Sequence, residues 1–150
     1  PLDPSPVRAL IAGWIIMGGL MTGCADFDGV TEANGADTVV VAAQFARDVR
    51  PVLELRCGIG GCHSKAAHQG GLVLTPDTAY RALVGRPTQT RGGQVLVRPG
   101  DAENSFMVHA IRDDDSKRLG LARMPLGSGA LTPNQIQTIV NWINRGAPDD

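Results

Sequence analysis

The sequence predicts a loop-rich fold built from short α-helices, and three observations support this. Glycine (19) and proline (10) together make up about 19% of the 150 residues, whereas their combined average in proteins is about 12%. Aromatic residues make up only 4%, so they supply little of a core. Helix start and stop signals are present, but they enclose short segments. The 19% charged residues and net charge of −1 exclude a disordered tail and a polybasic nucleic-acid binder.

The most complete helix signal lies near the end of the sequence and predicts a helix over 133–145. Thr132 is the expected N-cap, Gln135 completes a capping box, and Pro133 suits the first helical position. Apolar residues then recur at the i, i+3, i+4, i+7 spacing of one helix face. Weaker signals predict three further helices, over 43–56, 76–84 and 102–112.

The first and last of these helices are expected to cross. Phe45 and Trp142 are among the few large aromatic side chains, and we expect them to meet at the crossing. Pro51 lies inside the first helix, so it either kinks that helix or marks a late start.

An uncharged run, Ala9–Gly23, follows Arg8 near the beginning of the sequence. A membrane-spanning helix needs about 20 apolar residues, so this shorter run fits a secretory signal peptide better. The run ends at Cys24 in a pattern similar to the lipobox of bacterial lipoproteins, in which the cysteine is lipidated after cleavage. The alternative is a short uncleaved membrane anchor.

These signals divide the sequence into a signal peptide (1–23), a lipidated cysteine with a flexible tether (24–42) and a folded domain (43–150). The protein is therefore expected on the periplasmic side of a bacterial membrane, held by its N-terminal lipid. Ala25 stands where an inner-membrane retention signal would have aspartate, which slightly favours the outer membrane.

The segment from Cys57 to Cys62 and His63 carries the strongest chemical signal. Two cysteines with histidine directly after the second are typical of covalent haem attachment, in which the thiols add to haem vinyl groups and the imidazole binds iron. The spacer has four residues rather than two. Three of them are glycines, so we expect a compact bulge that uses backbone angles unavailable to other residues. A disulfide, or a zinc site completed by His68, is the alternative.

Met124 is the expected second axial ligand of the iron. Pro125 favours an extended backbone at Met124, which would present the thioether from a glycine-rich loop, and Met/His ligation occurs in cytochromes c. Met107 lies in a short helical pattern and is expected to be a core residue. The alternatives for the second ligand are His109, His68 or an open iron site.

Several segments, taken together, resemble a class I-type c-type cytochrome domain and, within it, the planctomycete cytochrome c family. They are Phe45 with Asp48–Leu53, Cys62–Ser64, Gly70–Leu74, Val97–Asp101, Arg123–Pro125 and Ile139–Pro148. The resemblance implies an all-α, cytochrome c-like fold of three to five short helices and long loops around one covalently attached haem c. It also implies that Cys57 and Cys62 attach the haem, that His63 is the proximal ligand and that Met124 is the distal ligand.

An iron saturated by two protein ligands has no position for a substrate, so the expected function is outer-sphere electron transfer. The protein would then be a lipid-anchored mono-haem carrier, not an enzyme. Its partners would be redox proteins and, through the lipid, a membrane; nothing in the sequence indicates nucleic acid. The alternatives are a haem-relay subunit of a larger membrane respiratory complex and an open-site haem sensor or enzyme.

Overall fold

The fold is helical, in a computed structural model that describes residues 37–89, 92–113, 118, 120–127 and 129–150. The described part contains helices α1 (Arg50–Arg56), α2 (Ala79–Leu83), α3 (Phe106–Ile111) and α4 (Pro133–Asn144). It also contains a π-helical turn (Phe45–Val49) and 3₁₀ turns (Gln69–Gly71 and Ala102–Asn104). Its β-structure is limited to two isolated bridges. The predicted all-α class is confirmed for these residues.

The predicted signal peptide and Cys24 lie outside the described residues, as does most of the tether. Within the described ranges, no helix combines the length and the apolar character that crossing a bilayer requires.

The first predicted helix lies where it was expected, but its first turn is π-helical rather than α-helical. The π-helical turn runs directly into α1, and Pro51 occupies the second position of α1. In a regular α-helix the proline ring would clash with the carbonyl four residues earlier, and the wider turn relieves that clash. The amide of Val49 accordingly donates to the Gln44 carbonyl, five residues back, at 3.3 Å. Pro51 therefore marks a late start of the α-helix.

The helix predicted over 76–84 is shorter than expected. The amides of Thr78 and Ala79 both donate to the carbonyl of Thr75, at 3.0 and 2.9 Å, in a turn that precedes α2. The Thr78 hydroxyl donates back to the Val73 carbonyl at 3.0 Å. These local hydrogen bonds replace the first helical turn.

The helix predicted over 102–112 is divided into the 3₁₀ turn Ala102–Asn104 and α3. Ser105 between them is extended, with φ −92° and ψ 117°. It is fully buried, and its hydroxyl donates to the Asp101 carbonyl and accepts from the Arg98 amide, both at 2.8 Å. A buried serine with two hydrogen bonds of its own explains the break in the helix.

The prediction for α4 is confirmed, including its capping box. The Gln135 amide donates to the Thr132 hydroxyl, and the Thr132 amide donates to the Gln135 side chain, each at 3.1 Å. Gly146 follows the helix with φ 101°, a conformation that favours glycine.

The aromatic part of the core joins the two ends of the domain. Phe45 and Trp142 pack with ring centroids 5.3 Å apart, as predicted, and Tyr80 lies 5.3 Å from Phe45. The Trp142 indole N–H donates to the Pro148 carbonyl at 2.9 Å. Asp150 accepts a hydrogen bond from the Phe45 amide at 2.9 Å, so the residues after α4 close over the π-helical turn.

Two chain segments, 83–88 and 94–97, pair through isolated bridges and form what we call the bridge segment. The Leu96 amide donates to the Arg86 carbonyl, and the Thr88 amide donates to the Gln94 carbonyl, both at 2.7 Å. The bridge segment also anchors α3, because the Met107 amide donates to the Leu96 carbonyl at 2.9 Å. α2, the bridge segment and α3 thus form one continuous wall.

Candidate cofactor-binding site

This wall borders a cavity of about 970 Å³. Such a volume is at the upper end of the roughly 300–1,000 Å³ typical of ligand and cofactor pockets. The end of α1 and the loops over 57–74 and 121–126 complete the lining. Much of the lining is aliphatic, with contributions from Leu72, Val73, Leu74, Ala82, Leu83, Leu96, Ala110, Ile111 and Leu121. The cavity therefore suits a large and mostly apolar molecule.

The four residues predicted to hold a haem in the folded domain all line this one cavity. They are Cys57, Cys62, His63 and Met124. The three N-terminal members lie just after α1, whereas Met124 comes from a loop between α3 and α4. The fold thus brings together residues that are far apart in the sequence.

The spacer between the two cysteines forms a closed loop. The Cys57 amide donates to the Leu53 carbonyl at 2.9 Å and so continues the hydrogen bonding of α1. The His63 amide then donates back to the Cys57 carbonyl at 3.1 Å, and the Cys62 amide donates to the Ile59 carbonyl at 3.0 Å. Both cysteines are free thiols on the wall of the cavity, so the structure does not support the disulfide alternative.

The expected reason for the spacer glycines is wrong. None of Gly58, Gly60 and Gly61 adopts a positive φ, because a four-residue spacer is long enough to turn through ordinary backbone angles. Gly58 is needed for a different reason: a Cβ there would lie 2.3 Å from the carbonyl oxygen of Leu74. At Gly60 and Gly61 a Cβ would meet nothing within 4 Å.

The orientation of His63 suits a metal ligand. Its Nδ1 lies 3.0 Å from the carbonyl oxygen of Gln69. A carbonyl only accepts, so Nδ1 carries a hydrogen, and in the neutral imidazole Nε2 then has the lone pair that iron ligation requires. The Leu74 amide donates to the His63 carbonyl at 2.7 Å and fixes the backbone next to the ring.

A backbone hydrogen bond joins the loop that carries Met124 to α3. The Met124 amide donates to the carbonyl of Ala110 in α3 at 2.7 Å, and its side chain is partly buried against the core. Met107 is buried, as expected for a core residue, but it also lines the cavity. The sequence signal that could have revealed this is the spacing of Met107, Ala110 and Ile111, which share one face of α3.

The alternative ligands are not at the cavity. Nε2 of His109 lies 2.8 Å from the carbonyl oxygen of Glu103, and His109 borders a separate pocket of about 220 Å³. His68 is exposed and has a positive φ of 33°. Across the described ranges, no group of three or more histidine, cysteine or acidic side chains is placed to hold a metal ion.

Burial controls the protonation of Cys57. Loss of solvent raises the pKa of the Cys57 thiol to about 11, and the nearby Arg56 guanidinium offsets this only in part. The thiol is therefore neutral at physiological pH. An apolar wall that disfavours a thiolate suits a neutral sulfur, such as that of a thioether.

The charged residues that line the cavity are arginines: Arg56, Arg81 and Arg86. The Arg56 guanidinium donates to the Gly129 carbonyl at 3.0 Å, and the Arg81 guanidinium donates to the Asp77 carbonyl at 3.1 Å. Sequence patterns did not single out Arg81 and Arg86, because their position at the cavity depends on how α2 and the bridge segment fold.

The donor set fits a covalently bound haem. Two thiols, an imidazole whose Nδ1 is already hydrogen-bonded and a thioether line a single cavity of cofactor size. The donors are those of His/Met ligated c-type cytochromes.

Comparison with protein families finds a match over part of the chain. The family model described as Planctomycete cytochrome C matches residues 60–125, a segment that includes Cys62, His63 and Met124, while Cys57 lies just before it. No curated protein and no solved structure matches the chain. Over residues 60–125 the chain is therefore similar to the planctomycete cytochrome c family of c-type cytochromes.

Proposed function

We propose that this protein is a mono-haem c-type cytochrome that passes electrons between redox partner proteins and has no substrate chemistry of its own. The observation that carries the proposal is the convergence of Cys57, Cys62, His63 and Met124 on one cavity of about 970 Å³. The match of residues 60–125 to a c-type cytochrome family supports the same function.

Cys57 and Cys62 are the proposed attachment residues. Each thiol would add across one vinyl group: a carbon–sulfur bond forms, and the thiol hydrogen passes to the neighbouring vinyl carbon. No group leaves and no oxidant is consumed, so the two cysteines need only be reduced. Both are free thiols, and the raised pKa of Cys57 keeps its sulfur neutral in the apolar wall.

His63 and Met124 are the proposed axial ligands. The carbonyl of Gln69 orients the imidazole, and the carbonyl of Ala110 fixes the backbone that carries the thioether. A haem c bound here supplies one-electron transfer at its iron. With both His63 and Met124 holding the iron, no open position would remain for a small substrate, and the thioether would favour the reduced state.

The choice of axial ligand is tested by Met124→His, with Met107→Leu as the matched control from the same cavity. We expect Met124→His to lower the midpoint potential, because a second imidazole favours ferric iron more than a thioether does. Met107→Leu should keep the wild-type Met/His spectrum. An unchanged potential in Met124→His contradicts the assignment, and a high-spin ferric spectrum or rapid carbon monoxide binding in the wild type would instead indicate an open-site sensor or enzyme.

We also propose that a lipid on Cys24 holds the protein on the periplasmic side of a bacterial membrane. The support is the lipobox-like sequence that precedes Cys24. In a bacterial host supplied with labelled fatty acid, Cys24→Ala should lose the label and leave the membrane fraction while it keeps its haem. Equal labelling of the variant and the wild type would contradict the proposal.

A further inference from the structure

The charges on the cavity wall are all of one sign. Arg56, Arg81 and Arg86 line the cavity, and no aspartate or glutamate is found among its described lining residues. The remaining titratable lining groups are His63 and the two cysteines. A haem carries two propionate carboxylates, so an arginine-bearing wall is complementary to it in charge.

The three arginines differ in how far their guanidinium groups are already engaged. Arg56 donates to the carbonyls of Gly129 and Ala130, at 3.0 and 3.3 Å. Arg81 donates once, to the carbonyl of Asp77. The guanidinium of Arg86 has no hydrogen bond or ion pair within the described part of the chain, although it lines the cavity. Arg86 therefore has the most donors left for a ligand, and Arg81 comes second.

Both of these arginines are exposed and stand on fixed backbone. Arg81 lies in α2, and the N-cap Thr78 and the next helical residue, Ala82, also line the cavity. Arg86 lies in the bridge segment, where its carbonyl accepts from the Leu96 amide at 2.7 Å. Exposure at the rim suits ionised carboxylates, which remain partly hydrated, whereas the aliphatic lining suits the porphyrin body.

We propose that Arg86, assisted by Arg81, binds the haem propionates, so that α2 and the bridge segment determine which edge of the haem lies at this rim. The inference rests on the proposed function, because it needs a haem in the cavity. A guanidinium binds a carboxylate through two parallel N–H donors, so Arg86 can fix both the charge and the direction of one propionate. Arg86 is a positioning residue for the cofactor.

The test compares Arg86→Gln and Arg86→Lys with Arg50→Gln as the matched control. Arg50 pairs with Glu54 on the surface of α1 at 3.5 Å and does not line the cavity. The midpoint potential of each purified holoprotein is titrated across about pH 5 to 9.

We expect a lower potential for Arg86→Gln at high pH, because an ionised propionate without its guanidinium favours ferric iron. The same propionate should have a raised pKa, so the potential should rise as the pH falls and the carboxylate is protonated. Arg86→Lys keeps the charge, so its midpoint potential should lie between those of Arg86→Gln and the wild type. The midpoint potential of Arg50→Gln should equal that of the wild type.

Two results would overturn the inference. One is a wild-type potential and pH profile in haem-loaded Arg86→Gln; the other is an effect of equal size in Arg50→Gln. If Arg86→Gln fails to accumulate, Arg86→Lys provides the test. A midpoint potential and pH profile of Arg86→Lys identical to those of the wild type would contradict bidentate binding. Wild-type protein without covalent haem would instead contradict the proposed function, so the two failures are distinguishable.

Discussion

At the scale of single residues, the site depends on a few backbone contacts. The Gln69 carbonyl sets the tautomer of His63, and the Leu74 carbonyl approaches Gly58 so closely that no side chain fits between them. These contacts join the cysteine loop and His63 to the backbone of the loop that follows them.

Cys57 lies outside the segment that the family model matches, so its role is the least supported of the four. We expect Cys57→Ala to carry a haem held by one thioether, because Cys62 and His63 remain. One vinyl group then stays unreacted, and the pyridine haemochrome band shifts to longer wavelength. Cys24→Ala is the control and should give the two-thioether band. The same band in Cys57→Ala and the wild type would remove Cys57 from the site.

The spacer glycines give a second prediction. Gly58→Ala should lower the free energy of unfolding by about 1–3 kcal/mol, because its Cβ would overlap the Leu74 carbonyl and the backbone has to shift. Gly60→Ala, with open space around it, should stay within about 0.5 kcal/mol of the wild type. Denaturant unfolding of both holoproteins measures the difference. Equal stability of the two variants would contradict the close approach at Gly58.

The attachment motif was predictable because its signal is local: adjacent residues carry the chemistry. The role of Gly58 was not predictable, since it depends on Leu74, a residue from another loop. Met107 and Arg86 were missed for the same reason: their position at the cavity follows from the pairing of the bridge segment, which has no short-range sequence signal.

At the scale of elements, predictions succeeded where both ends of a helix are encoded locally. α4 has a capping box at one end and a glycine at the other, and both are present in the structure. The helices predicted over 76–84 and 102–112 are shorter, because buried or turn-forming hydroxyls such as those of Thr78 and Ser105 compete for the backbone. The π-helical turn before Pro51 was not predicted. It forms because the proline ring would clash with a regular α-helical turn, and such a turn leaves no periodic pattern in the sequence.

The contact between the first and last elements gives a third prediction. Phe45→Leu and Trp142→Phe should show a coupling energy of about 0.5–1.5 kcal/mol in a double-mutant cycle, because the two rings are in contact. Leu55, which is 72% exposed, provides the control: Leu55→Ala should be additive with Trp142→Phe within about 0.5 kcal/mol. Additivity in the Phe45 cycle, measured by denaturant unfolding, would show that the contact does not stabilise the fold.

At the scale of the whole molecule, the domain is organised around two apolar centres. The aromatic cluster of Phe45, Tyr80 and Trp142 joins the ends of the domain and does not line the cavity. The cavity lies among α2, α3 and the loops, and it collects all four proposed haem-binding side chains. With 4% aromatic residues, the chain has few large side chains for a second core, and a bound haem would supply that apolar volume.

The sequence predicted some features of the whole molecule and not others, depending on whether they arise from local motifs or from long-range packing. The helical class and the residues of the site follow from local motifs and from the family resemblance. The size of the cavity and its arginine rim arise from long-range packing between segments such as 83–88 and 94–97, and only the structure reveals them.

The central claim is that one haem is bound covalently through both Cys57 and Cys62. The most direct measurement is the intact mass of protein matured in a host that attaches haem, combined with its pyridine haemochrome spectrum after denaturation and acidic solvent extraction. The account predicts a mass increased by one haem and a two-thioether spectrum that stays with the polypeptide. A colourless protein with the mass of the bare chain, or a haem that the solvent removes, would contradict it.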